Sequence, residues 1–172
     1  MDVINDVRIS KTAVINHPDL VTIGKHVSID MGVYIATAAK IGDYVHIATK
    51  ACVIGGRGGY LEMADFTNIS VGSTLIVVSD DFTDGMINPI VPLKYRRLLG
   101  GVIKMGRFCT IGVNCTVLQN VNMAEGSILG ANSLLTKSTE PWGIYAGSPA
   151  KRIGTRKKEW ILASAKELGY EY

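Results

Sequence analysis

Residues 105–140 read MGRFCT, IGVNCT, VLQNVN, MAEGSI, LGANSL, LTKSTE when cut every six. An aliphatic residue or Met opens each unit: Met105, Ile111, Val117, Met123, Leu129 and Leu135. A small residue or Val stands four places on: Cys109, Cys115, Val121, Ser127, Ser133 and Thr139. A strict beat of six is neither the helical period nor simple alternation. It is the mark of a parallel β-helix, in which short strands wind round a column and each coil buries its face on the next. The opening residue then points inward, and the fifth sits in a corner that admits only a small side chain. One geometry explains both periodic positions.

The same frame runs through the first half of the chain. From Ile23 the units are IGKHVS, IDMGVY, IATAAK, IGDYVH and IATKAC, with Val53 opening a sixth. Three hexads make one triangular coil, so units one and four share a face, as do two and five, and three and six. Gly55-Gly56-Arg57-Gly58-Gly59 inserts four extra residues, and clustered Gly mark a bend or a close approach to the backbone. The count resumes at Met63, Ile69 and Leu75.

Residues 81–104 break the frame, passing Pro89, Pro92 and a basic cluster of Lys94, Arg96 and Arg97. Loops beyond ~12–15 residues in a compact fold are usually functional or disordered. This one, flanked by regular repeats, reads as an active-site arm. The β-helix is expected over 23–80 and 105–140, as fifteen hexads in about five coils, about 24 Å tall at ~4.8 Å per layer. Residues 1–22 repeat the pattern loosely and are expected to cap the first edge, where unpaired strand groups invite aggregation. After an irregular stretch from Pro141, residues 156–168 have helical spacing (Trp160, Ile161, Ala165, Leu168). That helix is expected over the second open end or a neighbouring subunit. All 172 residues read as one domain, all-β apart from it.

The composition, 47% hydrophobic with 19 Gly and 5 Pro, suits a packed β column and not a disordered chain. A net charge of +3 is too small to argue for nucleic acid, although the run Lys151–Lys158 is basic enough to meet phosphates. Three Cys make no disulfide framework. Cys109 and Cys115 take the small corner position and read as buried thiols. No apolar run approaches the ~18–20 residues of a membrane span, and no leader is readable at the N-terminus. The expectation is a cytoplasmic protein. A zinc site on such a column needs three His in register. His26 and His46 stand at different places in their hexads and His17 precedes the regular frame, so no metal is expected.

Gly130-Ala131-Asn132-Ser133, Thr136-Lys137 and Ala146-Gly147-Ser148-Pro149-Ala150-Lys151 carry a family likeness. With the repeats, they make the chain resemble the hexapeptide-repeat acyltransferases over about 150 residues. The resemblance implies a left-handed column, a homotrimer, and coenzyme A bound by the last coils and the loop after them. On this chain that cofactor set is Gly130, Ala131, Ser133, Lys137, Trp142, Gly147, Pro149, Lys151 and Arg152. The glycines and Ala131 let the pantetheine arm approach the backbone, and Lys137, Lys151 and Arg152 meet phosphates. Trp142 or Tyr145 flanks the adenine. Val45-His46-Ile47-Ala48, the Gly55–Gly59 bend and Ser79-Asp80-Asp81-Phe82 are similar to the small acetyltransferases that modify lipopolysaccharide or nucleotide-linked sugars. Galactoside- and maltose-type relatives start this arm with a catalytic His. Here the arm holds none, and Asp80 and Asp81 stand near that place.

Acyl transfer from acetyl-CoA to a sugar needs a held donor, a positioned acceptor, a base and donors for the developing oxyanion. His46 is the expected base, since a near-neutral imidazole suits proton removal at physiological pH. Asp80 or Asp81 from a neighbouring subunit is expected to orient it, or to bind an acceptor ammonium. Asn68, Phe82 and Arg57 are the expected substrate contacts. The missing arm His favours an amine acceptor, on a dTDP- or UDP-linked amino sugar, over O-acetylation. A non-catalytic scaffold is the reading from another class, separable by whether coenzyme A stabilises the fold.

Overall fold

The inward beat builds a three-sided column. The computed structural model describes residues 2–4 and 6–172; residues 1 and 5, part of the expected N-terminal cap, lie outside the described residues. The chain forms a left-handed β-solenoid of about 7 turns rather than five. Face one stacks Val7–Ile9, Ser28–Ile29, His46–Ile47, Asn68–Ile69, Thr110–Ile111, Ile128–Leu129 and Gly143–Gly147 in parallel. Face two stacks Val14–Ile15 below the starts of Tyr34–Ile41 and Cys52–Met63, then Thr74–Ile76, Thr116–Val117 and Leu134–Leu135. Face three stacks Val21–Ile23, the ends of the two long strands, Val102–Met105 and Asn122–Met123. Seven layers at ~4.8 Å make a column about 30 Å tall.

Every unit's opening residue meets its predicted neighbour, Ile23 on Ile41, Ile29 on Ile47 and Ile35 on Val53. Ile29, Ile35, Ile47, Met63, Ile69, Leu75, Met105, Ile111, Met123 and Leu129 are all fully buried. Each contributes roughly 1.5–3 kcal/mol by leaving water. The fifth positions are buried too, including Thr67, Ser73, Ser127, Ser133, Cys109 and Cys115. Burial raises both thiols above their ordinary pKa, so they behave as small apolar residues.

The register accounts for both interruptions. Met63 pairs with Ile41, and the extra residues of Gly55–Gly59 are absorbed as an irregularity between Ala36 and Ala38. Side chains at Gly55 or Gly59 would strike Thr37 Oγ1 and Val77. The arm departs earlier than 81 and returns earlier than 104: Val78–Asp80 pairs antiparallel with Leu98–Gly100, and Val102 is already back on face three beside Tyr60. Strand pairing, invisible to a count of hexads, sets those limits.

Both ends differ from the expectation. Residues 7–23 form a regular first turn, because Val7, Ile9, Ile15, Val21 and Ile23 keep the inward beat, and only Asp2–Ile4 folds back antiparallel on Val7–Ile9. At the other end the stretch after Pro141 is no irregular loop. Gly143–Gly147 is the seventh layer of face one, and Ala150–Thr155 returns antiparallel over it. The helix, α1 (Glu159–Glu167), lies against the flank and not across the open end. Its Ala165 is buried, and it shares a hollow with Phe66 and Phe108.

The flank it covers is the corner leading into face one. His26, Tyr44, Phe66, Phe108 and Trp142 occupy equivalent left-handed positions there, with φ from 54° to 62°. Non-glycine residues pay ~1–2 kcal/mol for that conformation, offset here by stacking at centroid spacings of 4.4, 5.0, 5.2 and 6.0 Å. Tyr170 and Tyr172 close over the stack edge-on and donate hydroxyls to Asp43 and Asp65, both at 2.7 Å. The corner between faces one and two is mixed instead, with Lys50, Asn114 and Asn132 in the same conformation beside exposed Met31, Val71 and Val113.

Candidate functional site

Face one carries the titratable cluster. Its outward column runs Arg8, Ser28, His46, Asn68, Thr110, Ile128, Ile144 in exact register with the layers. His46 stands on the flat of this face rather than at a corner, and Asn68 is its neighbour one layer up. One residue after each inward position the chain turns, stacking Asp30, Ala48, Ser70, Gly112 and Gly130 at the face one–face two corner. His46 Nε2 lies 2.9 Å from Asp30 Oδ2, and Ser28 Oγ donates to Asp30 Oδ1 at 3.2 Å. The His46 side chain is 47% exposed and Asp30 31%. Asn68 Nδ2 donates to Ser70 Oγ at 2.9 Å. Two fixed polar pairs thus sit on adjacent layers, open to a ligand.

Asp80 is not beside His46 within the chain. Arg96 holds it bidentately, Nε to Oδ1 at 2.8 Å and Nη2 to Oδ2 at 3.1 Å, with both side chains mostly buried. Asp81 accepts from Thr83 N and Oγ1, and those bonds lower its pKa below the ordinary carboxylate value. It shapes the arm's first turn. Phe82 is exposed further along the arm, and Arg57 projects from the glycine bulge, 3.7 Å from Asp19. A hollow between bulge and arm is lined by Ile54, Gly55, Gly56, Ser79, Asp80 and Arg96, among others.

The cofactor set divides. Gly130, Ala131, Ser133, Gly147, Pro149 and Lys151 gather where the last coil meets the returning strand. Ser133 is buried and committed, accepting the Gly147 N–H at 3.0 Å, so it braces the turn and does not face a ligand. Trp142 is at the far side of face one, the last ring of the aromatic stack, with Gly126 beneath its indole. Arg152 is paired with Glu140, and Lys137 stands exposed beyond Leu135. The hexad beat locates residues along the column but not round a left-handed corner, so nearness in sequence does not put Trp142 beside the rest of the set. Asp30, Ser28 and Ser70 are outside the expected set; the signal for Ser28 is the period of eighteen residues that separates it from His46, the same that separates His46 from Asn68 once the four inserted residues are counted.

No protein-family model matches the chain. It is 34% identical over 161 residues, 91% of this chain and 82% of the relative, to dTDP-4-amino-4,6-dideoxy-D-glucose acyltransferase of Escherichia coli. The chain belongs to the hexapeptide-repeat acyltransferases. Its fold superposes with a TM-score of 0.90 and 32% identity on AntD, an N-acyltransferase from Bacillus cereus solved with dTDP and 3-hydroxybutyryl-CoA, covering 95% of this chain and 87% of that one. A hexapeptide-repeat acetyltransferase of Vibrio cholerae, 14% identical with a TM-score of 0.60, shares the fold over 88% of this chain and 72% of that one. This acyltransferase has no helix, among its described residues, long and apolar enough to cross a membrane.

The residues present fit a phosphorylated thioester donor. Gly147, at φ 105°, has only Pro149 O near the place a side chain would take, at 3.5 Å, and Lys151, Lys157 and Lys158 stand exposed around the returning strand. From that end the small corner residues Gly130, Gly112, Ser70 and Ala48 lead down the column to Asp30. Four layers separate Gly147 from His46, about 19 Å at ~4.8 Å per layer, the order of an extended pantetheine arm.

Proposed function

We propose that this protein transfers an acyl group from acyl-coenzyme A to the amino group of a dTDP-linked amino sugar, in a homotrimer whose sites lie between subunits. The observation that carries this reading is the single file on face one, from the Asp30–His46 and Asn68–Ser70 pairs to the glycine-and-lysine end at Gly147 and Lys151. The E. coli relative is named for a dTDP-amino sugar, and serine variants of AntD have been solved with dTDP-4-amino-4,6-dideoxyglucose and coenzyme A. In AntD variants an aspartate has been exchanged, as has a serine ten positions before it. Ser70 and Asp80 are the one serine–aspartate pair of this chain with that spacing.

Acyl-coenzyme A supplies the activated acyl group. Gly130, Ala131, Gly147 and Pro149 offer backbone approach to its arm, while Lys151, Arg152 and Lys137 offer charge to its phosphates. His46 takes the proton released at the acceptor nitrogen, and Asn68 orients the acceptor. Asp80 or Asp81 of the neighbouring subunit meets the acceptor's ammonium form, and Phe82 and Arg57 contact the rest of the nucleotide sugar, Arg57 as the charge for its diphosphate. The three outward ladders support a trimer. Face three presents Lys40, Glu62 and Lys104 as an alternating charge ladder suited to water. Face two and its corner present Val14, Tyr34, Ile54, Met31, Val71 and Val113, and the arm adds Phe82, Ile87, Ile90 and Leu93. Apolar surface of that extent on two sides of a prism suits burial against its own copies. A coenzyme A donor supports a cytoplasmic setting.

The test is thiol release from acetyl-CoA and longer acyl-CoAs, offered dTDP-linked 4-amino sugars, UDP-linked amino sugars and plain sugars. Release with nucleotide-linked amino sugars alone is expected. Release only with hydroxyl acceptors would overturn the amine assignment, and no binding of coenzyme A in a thermal-shift titration would return the chain to a scaffold.

A further inference from the structure

The partner of His46 is on its own chain. We infer that Asp30 is a positioning residue which locks His46 in one tautomer, so that Nδ1 and not Nε2 is the proton-accepting atom. The inference rests on the acyl-transfer reading above for its catalytic meaning, but its geometry stands by itself. Nε2 is 2.9 Å from Asp30 Oδ2. An ionised carboxylate only accepts, so a neutral ring must donate Nε2–H there and keep its lone pair on Nδ1. Ser28 Oγ donates to the other carboxylate oxygen at 3.2 Å and fixes the carboxylate's rotation. Backbone pairing holds the three residues as well: Ser28 and His46 are directly opposed on face one, and Asp30 N donates to Ile47 O at 2.9 Å. Ala48, stacked above Asp30 at the corner, has too small a side chain to intervene.

Ser28 is not a nucleophile in this arrangement, because its hydroxyl donates to the carboxylate rather than to the ring. The transfer inferred here is direct, from thioester to acceptor. The acceptor nitrogen bonds to the thioester carbonyl carbon and the carbon–sulfur bond breaks. The proton leaving nitrogen passes to His46 Nδ1, and then to the departing thiolate or to water. Asp30 stabilises the imidazolium formed in between, as carboxylates do beside catalytic His. The same placement explains why the arm needs no His. A base already stands on the face, oriented from the layer below.

Imidazole ¹⁵N shifts of the full chain, with Asp30→Ala and Asp30→Asn, test this. In the wild type His46 Nδ1 should resonate as unprotonated and Nε2 as protonated; in both variants the two should move toward the average of a freely exchanging ring. With a nucleotide-linked amino sugar, Asp30→Ala should lose about 10- to 100-fold in kcat, with the KM for acyl-CoA unchanged. His46→Asn should lose more, about 10²–10⁴-fold. Identical ring shifts in wild type and Asp30→Ala, or undiminished kcat in both Asp30 variants, would overturn the assignment. If no acceptor is acylated, the reading of function fails, and the ring shifts still decide the tautomer.

Discussion

At the residue scale, the corner into face one shows how tightly the column specifies single positions. Gly126 lies at φ 70°, and a Cβ built on it would come within 2.3 Å of the Trp142 ring. The indole is the last ring of the stack, and Arg156 lies 6.0 Å from its centre, so it has little freedom to yield. Arg156 in turn donates from Nη1 to Phe108 O at 2.6 Å, and its burial lowers its pKa. Gly126→Ala combines a left-handed backbone with overpacking and should destabilise the fold by about 2–3 kcal/mol. For a chain of this size that is a fall of about 5–10 °C in Tm. A Tm within a degree or so of wild type would show that Trp142 can leave the stack at little cost.

At the scale of elements, the segment after α1 is a clasp. Tyr170 and Tyr172 reach Asp43 and Asp65, partners 127 and 107 residues away in sequence. Arg107 stacks on the Tyr172 ring at 3.9 Å. The bond to Asp43 raises the Tyr170 phenol to about 12, and burial, with Asp65, pushes Tyr172 up as well. Asp43 is lowered, first by the Lys25 backbone N–H and then by Tyr170. A phenol with a raised folded value stabilises fully below its ordinary pKa of 10.0 and loses that contribution as pH rises through about 12. The lowered Asp43 contributes above its ordinary 3.8 and loses it as pH falls through the lower folded value. The clasp is therefore firmest between mildly acidic and mildly alkaline pH. In Asp43→Asn, phenolate absorbance should show one tyrosine titrating earlier, toward 10, with faster amide exchange over residues 169–172. An unchanged titration would mean that the hydroxyl contact is not made in solution.

How much of this was legible in the sequence divides along the same line. The inward beat gave the faces, the stacking of Ile29 on Ile47 and the place of Asn68 above His46, because those contacts repeat at a constant interval. What the beat cannot carry are contacts made sideways or across the whole chain. The extent of the arm depends on Val78–Asp80 pairing with Leu98–Gly100, and the flank position of α1 depends on a ladder of aromatic corners. Asp30 meets His46 only because a carboxylate at a corner can lean under the adjacent face. The hydrophobic pattern says nothing about polar groups turned outward.

At the scale of the whole molecule, the column has one polar face with the candidate site, one apolar face, and one charged face. A closed ring of three prisms can bury the apolar face and arm of each copy beside the polar face of the next. Asp80, held by Arg96 at the base of the arm, leaves the column at the corner between faces two and three, away from His46 of the same chain. If each site takes His46 from one subunit and Asp80 from its neighbour, neither His46→Asn nor Asp80→Asn alone retains a complete site. Co-expressed in equal amounts, the two variants should regain activity. A site is complete when its first subunit carries the Asp80 exchange and its neighbour the His46 exchange, which random assembly of a ring gives in about one quarter of sites. Light scattering should give three copies, and the mixed preparation should show roughly a quarter of wild-type kcat with unaltered KM. Sites confined within single chains would leave the mixture as inactive as its parents, whatever the copy number.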